Sequence, residues 1–158
     1  MRIVRTTADA EDVVQDAFLS AWRSIGSFEG TNFRAWLFRI ATNRSLDVLR
    51  ARKRRPELPL DPPDDNEDVT WAEPPAAGPD LAQIASDREA LAIVESALAT
   101  LPAEQRTALL LRDVEGFAYE EIAVITSVEI GTVKSRIHRG RVAVRNALVA
   151  RGWQGPAG

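Results

Sequence analysis

The sequence predicts an all-α protein of two small helical domains joined by a flexible, acidic, proline-rich linker. Three observations predict it. Apolar residues recur at spacings of three and four in two separate blocks, and no stretch alternates apolar with polar residues. Gly26, Pro102 and Gly116 punctuate those blocks where a helix should stop. Between the blocks, PELPLDPPDDNEDVTWAEPPAAGPD (56–80) holds seven of the nine prolines, eight acids and no Lys or Arg. Proline blocks helix interiors and like charges repel, so this stretch separates the blocks.

In the first block Ala10, Val13, Val14, Ala17, Phe18, Ala21, Trp22 and Ile25 make one apolar helix face, with Thr7 or Asp9 as cap and Gly26 as end. After the loop SFEGTN the period restarts at Phe33, Trp36, Leu37, Ile40 and Ala41. This second helix is expected to run to about Arg54, ending in RARKRR before Pro56. Phe33, Trp36 and Leu37 read as core residues, whereas Phe38 lies off the stripe. Two helices bury little surface, so the domain 1–55 reads as incomplete by itself. The linker 56–80 follows. It reads either as a solvated spacer or as an acidic strand that mimics nucleic acid, anchored by Leu58, Leu60 and Trp71.

The second domain, 81–152, reads as four helices, with 153–158 a disordered tail. Asp80–Leu101 carries Leu81, Ile84, Ala85, Leu91, Val94 and Leu98 and stops at Pro102. Pro102 suits the first turn of the next helix, which carries Ala108, Leu109, Leu111 and Val114 and ends at Gly116. Ala118–Thr126 is short, with Ile122, Ala123 and Ile125 inside. Thr132–Ala150 is the last, with Val133, Ile137, Val142, Val144 and Leu148 apolar.

Composition excludes several classes of function. The chain has no cysteine and one histidine, His138, which leaves no disulfide, no Cys-based zinc site and no His-rich metal site. No metal and no cofactor is expected. No apolar run approaches a membrane span and no signal-peptide core opens the chain, so a cytoplasmic protein without membrane insertion is expected. No Ser–His–Asp arrangement, glycine-rich phosphate loop or metal-ligand spacing is present, and the protein reads as no enzyme. The acids of DAED (9–12) fall in the first turn of a helix, where they favour the positive end of its dipole.

Charge is distributed unevenly. The chain is net acidic, with 20 Lys+Arg against 23 Asp+Glu, yet 130–158 carries six cations and no acid. A short helix, a tight turn at about Thr126–Val128 and a basic helix from Ile130 or Gly131 make a helix-turn-helix. Such a helix enters the major groove by its N-terminal turns, here occupied by Thr132, Lys134, Ser135, Arg136, His138 and Arg139. Val133 and Ile137 should face inward. A merely solvated basic face is the plainer alternative. A second basic stretch, FRAWLFRIATNRSLDVLRARKRR (33–55), sets aromatics beside Arg39, Asn43, Arg44, Arg50, Arg52, Lys53, Arg54 and Arg55. Cations can follow a phosphate backbone, and aromatics can stack on bases that strand opening exposes.

Three blocks in this order carry a resemblance. DAEDVVQDAFLSAW (9–22), FEGTNFRAWLFRIATNRSLDVLR (28–50) and LPAEQRTALLLRDVEGFAYEEIAVITSVEIGTVKSRIHRGR (101–141) closely resemble bacterial RNA polymerase sigma factors of the extracytoplasmic-function type. The resemblance covers nearly all of the chain outside the linker. It implies that 9–22 docks on the clamp helices of the polymerase large subunit through Asp12, Gln15 and Asp16, with Phe18 and Trp22 nearer the core. It implies that 28–55 melts and captures the promoter minus-10 element. Asn43 would then stand at a flipped base, Glu29–Asn32 would shape its pocket, and Arg44, Arg50, Arg52 and Lys53 would contact DNA. The last block resembles region 4, which reads the minus-35 element and touches the polymerase flap. An anti-sigma partner is expected from the family alone.

Three departures from the family pattern go with it. Eight residues precede Asp9, where the family carries further region 2 helix, so region 2 is expected to be N-terminally short. The turn reads TSVE, which asks Ser127 to adopt a left-handed conformation at a cost of roughly 1 kcal/mol. Gly140 sits inside the recognition helix, at up to about 1 kcal/mol relative to alanine. Two rival readings remain at this point: a dimeric DNA-binding regulator using 84–151 alone, and a decoy that titrates a partner.

Overall fold

A computed structural model describes residues 3–54 and 88–152. Every element among them is helical: α1 (Thr7–Ser24), a single 3-10 turn (Ile25–Ser27), α2 (Phe33–Lys53), α3 (Arg88–Thr100), α4 (Ala103–Asp113), α5 (Tyr119–Thr126) and α6 (Ile130–Ala150). The linker, Leu81, Ile84, Ala85 and the expected tail lie outside the described residues.

Two of the predicted helix starts move. Thr6, not Thr7 or Asp9, caps α1: its hydroxyl accepts from the Asp9 backbone N–H at 3.1 Å. Thr6 is extended and stands three residues before that orphan N–H, which is the cap geometry. Asn32 caps α2 in the same way, accepting from the Ala35 N–H at 2.9 Å. Pro102 stands at the N-cap of α4 rather than in its first turn.

α1 and α2 run antiparallel. Asp9 pairs with Arg52 at 2.6 Å, and Asp16 accepts from Arg44 Nε at 2.7 Å, so the numbers fall on one helix as they rise on the other. Along this interface the buried residues are mostly small: Val13, Ala17 and Ala21 of α1, with Thr42, Ser45 and Leu46 of α2. Small side chains let the two backbones approach closely. One face of α1 is therefore covered and the next is not. Phe18 and Trp22, expected nearer the core, are 62% and 81% exposed, and Val14 and Ile25 join them outside. The stripe read as one apolar face is two, and α2 covers only the small-residue one.

The remaining helices enclose the main core. Ile93, Val94, Ala97 and Leu98 of α3, Ala108–Leu111 of α4, Ile122 and Ile125 of α5, and Val133, Ile137, Val144 and Leu148 of α6 are buried together. Val114 and Val142, expected inside, are exposed. Val114 has already left α4 as its C-cap, and Val142 stands nearly opposite the buried stripe of α6. Buried Arg106 donates Nη1 to the Leu98 and Leu101 carbonyls at 3.2 and 3.5 Å, satisfying acceptors that the end of α3 leaves open. Gly140 has a packing reason: a Cβ there would stand 3.2 Å from Leu109 Cδ2.

α2 also packs on this core. Phe38, which lay off the predicted stripe, meets buried Phe117 edge-on at 5.0 Å, and Ala35 and Leu49 join it. Phe33, expected in the core, is 47% exposed and instead clusters with Phe28 and Trp36 at 5.2 to 5.7 Å. The side of α2 facing the second block decides which aromatics are buried, and sequence spacing within α2 does not report that side.

Candidate nucleic-acid interface

The helix-turn-helix is α5, a tight turn and α6. α5 begins with half a capping box: the Ala118 N–H donates to Glu121 Oε2 at 2.8 Å. It ends at Ser127, which is left-handed (φ 56°, ψ 44°), as the sequence required. The Ser127 and Val128 N–H groups both reach the Ala123 carbonyl and close the turn. Gly116, also left-handed at φ 76°, makes the preceding turn between α4 and α5.

α6 presents its residues by the 100° step of a helix. Val133, Ile137, Gly140, Val144 and Leu148 are buried, with Val133 and Ile137 inward as expected. Opposite them lie Thr132, Ser135 and Arg139, with His138 beside them. Lys134 is exposed on one flank, and Arg136 is half-buried on the other. Ser135 donates its hydroxyl to the Thr132 carbonyl at 3.0 Å, a local bond an incoming acceptor can replace. The six sequence-predicted residues thus occupy the outward face and the two flanks of the first three turns.

Arg141 is different. It forms a two-pronged ion pair with Asp113 of α4, Nε at 3.0 Å from Oδ2 and Nη2 on Oδ1. The hydrogen bond to Asp113 raises the Arg141 pKa above the ordinary guanidinium value against the lowering effect of burial. Its charge ties α6 to α4.

On α2 the sites divide. Asn43 is exposed, and helical spacing places Trp36, Arg39 and Arg50 on the same stripe. Arg50 also pairs with Asp47 at 3.3 Å. Lys53 is exposed in the last turn. Arg44 and Arg52 face α1, bound to Asp16 and Asp9. The structure therefore separates an outward stripe, 36–39–43–50, from two cations held in the α1–α2 interface. On α1, Asp12 and Gln15 are exposed among Phe18, Leu19 and Trp22, whereas Asp16 turns to Arg44. Sequence reasoning missed Arg34, whose guanidinium lies 4.1 Å from the Phe117 ring centroid and 5.2 Å from that of Phe38. The only hint was its i,i+4 spacing to Phe38.

Among the described residues, no group of His, Asp or Glu could hold a metal ion, and no helix is long and apolar enough to cross a membrane.

Comparisons with known proteins bear on both halves. Residues 1–55 match the family model described as Sigma-70 region 2, and residues 91–144 match Sigma-70, region 4. An "ECF RNA polymerase sigma factor SigE" of Mycolicibacterium smegmatis is 42% identical over 140 residues, spanning 89% of this chain and 52% of that protein. The "RNA polymerase sigma-H factor" of Pseudomonas aeruginosa is 40% identical over 157 residues, spanning 94% of this chain and 77% of that protein. The chain thus spans about half the length of the first relative and about three quarters of the second. Among solved structures, the sigma factor RpoE in complex with the anti-sigma factor NepR from Bartonella quintana superposes with a TM-score of 0.67 at 32% identity. That match covers 93% of this chain and 85% of that one. CnrH in complex with the cytosolic domain of CnrY superposes with a TM-score of 0.61 at 28% identity, covering 94% of this chain and 76% of that one.

Proposed function

Since the chain belongs to the extracytoplasmic-function class of RNA polymerase sigma factors, we propose that it binds core polymerase, reads a two-part promoter and supports strand opening. The observation that carries this is the pairing, in one chain, of a region 2 match on 1–55 with a region 4 match on 91–144. A free-standing regulator built on 84–151 has no use for the first block.

The domains follow as part of the proposal: 1–55 for core binding and the minus-10 element, 56–80 as linker, 81–152 for the minus-35 element. Thr132, Ser135 and Arg139 face base edges, while Lys134, Arg136 and His138 serve the groove walls and phosphates. Asn43 holds a flipped base, with Trp36 near enough on the same stripe to stack on a neighbour. Arg50 and Lys53 meet phosphates, as do Arg44 and Arg52 once α1 releases them. Asp12 and Gln15 contact the polymerase clamp, joined by Asp16 when its bond to Arg44 gives way. Region 4 also touches the flap. The protein supplies no bond chemistry of its own; nucleotide addition belongs to polymerase, and the site of action is the cytoplasm. An anti-sigma protein as regulator is supported by the solved structure of RpoE, which is in complex with the anti-sigma factor NepR.

Run-off transcription with core polymerase and a genomic promoter library tests the reading. Specific transcripts should require both core and this chain. Arg136→Ala and Arg139→Ala should each lower promoter-specific output about tenfold, the worth of 1–3 kcal/mol of base or phosphate contact, with core binding intact. If both variants initiate normally, the recognition-helix assignment is wrong. Asn43→Ala should change opening or minus-10 preference with core affinity unaltered; an unchanged preference refutes that pocket.

A further inference from the structure

α2 covers one side of α1, and a second apolar side stands open. Val14, Phe18, Leu19 and Trp22 are each more than half exposed, and Ile25 is nearly so. At 100° per residue, Val14, Phe18, Trp22 and Ile25 fall within an arc of about 80°, and Leu19 stands about 60° beyond its edge. Ala17, in the middle of the buried side, points about 100° away from Phe18. A continuous exposed apolar stripe of this kind marks an interaction surface.

The charges beside the stripe say what fits it. Asp12 and Arg23 are both exposed. They lie on one flank, within about 20° of each other, with Leu19 between them along the helix. The acid comes before Phe18 and the cation after it, at nearly equal spacing. A helix laid antiparallel on this stripe must therefore bring an acid near its own N-terminal end and a cation near its own C-terminal end, both on the same flank. α1 itself meets that description.

In a two-fold antiparallel pair centred on Phe18, the two Phe18 rings meet, Val14 meets the partner's Trp22, and Asp12 stands level with the partner's Arg23 to within ~1.5 Å along the axis. The two-fold keeps matching flanks on the same side of the pair, so an Asp12–Arg23 contact forms at each end. A parallel pair would set Asp12 against Asp12 and Arg23 against Arg23, and like charges there oppose association.

We propose that the open face of α1 docks a second copy of this chain, through Val14, Phe18, Leu19 and Trp22, with antiparallel register set by Asp12 and Arg23. The same face carries Asp12 and Gln15, which contact the polymerase clamp in the sigma-factor reading. On that reading the dimer is a stored form that core polymerase takes apart, because one helix face cannot hold two occupants. The pairing itself can be measured without polymerase.

Analytical ultracentrifugation of the 158-residue chain, from about 1 to 100 µM, should show a reversible monomer–dimer equilibrium with a Kd on the order of 10 µM, as a small interface built on one helix allows. Asp12→Arg sets like charges together at both ends and should weaken the dimer at least about tenfold, as should Arg23→Asp. The double variant, Asp12→Arg with Arg23→Asp, restores both contacts with their signs exchanged and should return the Kd to within about threefold of wild type. Phe18→Asp should be monomeric throughout, with circular dichroism showing that each variant keeps the wild-type helix content. Core polymerase should convert the dimer to a complex holding one copy of the chain. A wild-type chain that stays monomeric at about 100 µM overturns the proposal and leaves the face to polymerase alone. So does self-association that Asp12→Arg leaves intact, a double variant no stronger than the single ones, or a core complex holding two copies. Failure of core to bind the chain at all would count against the sigma reading instead, with the charge-exchange series still deciding the pairing.

Discussion

Lys134, Arg136, Arg139, Arg141 and Arg145 lie on one helix, and the structure gives them different work. Arg141 turns its guanidinium to Asp113, and the raised pKa that results fixes the sign of its pH dependence. A cation with a raised pKa contributes stability that is lost only as pH rises through that raised value, in strong alkali, so Arg141 keeps its charge through neutrality. Salt is the better probe. Asp113→Ala should cost about 1 kcal/mol, the size expected for a pair whose arginine is 40% exposed, read as a lower urea midpoint at unchanged m-value. The loss should shrink at high salt. At Ser127 the strain runs the other way. Ser127→Gly removes a left-handed non-glycine residue and should raise stability by about 0.5 to 1 kcal/mol, measured in the same titration.

At the scale of elements, α1 shows what helical periodicity reports and what it leaves open. Residues at three and four spacing identify the helix without ambiguity. They do not say how wide its covered stripe is. Ala17 and Ala21 lie on the covered side because α2 crosses close to them; Phe18 and Trp22, one position on in each turn, lie outside. Ala21→Leu should therefore destabilise by about 1 to 3 kcal/mol through overpacking. Trp22→Ser should shift stability by less than about 0.5 kcal/mol. Thermal unfolding followed by circular dichroism separates the two, and the reverse ranking would place α2 on the wrong face of α1. The cap of α1 falls one residue before Thr7 and three before Asp9, since Thr6, Thr7 and Asp9 all offer an oxygen and only backbone geometry chooses among them.

For the whole molecule, net charge says little and its distribution says much. An acidic chain can bind DNA where a local face is cationic, and α6 with the outward stripe of α2 provides two such faces. Lys134→Ala should weaken promoter binding by the holoenzyme almost uniformly across sequences and lower the salt slope by about 1, as loss of one phosphate contact requires. A change in sequence preference instead would make Lys134 a base-reading residue.

The sequence by itself determined the helical class, the separation of two blocks by an acidic, proline-rich stretch, the helix-turn-helix with its left-handed Ser127, the inward Val133 and Ile137, and the resemblance that named the family. These rest on local physics: period, caps, backbone permissiveness and charge, all written within a few residues of one another. Only the tertiary structure decided which apolar residues are covered, which cations are already paired, that Leu109 packs closely on Gly140, and that α2 closes on Phe117 through Arg34. The decisive partners lie far along the chain: 28 residues for Arg44–Asp16 and for Arg141–Asp113, and 81 for Arg34–Glu115. Spacing within one helix carries no record of the helix that packs against it.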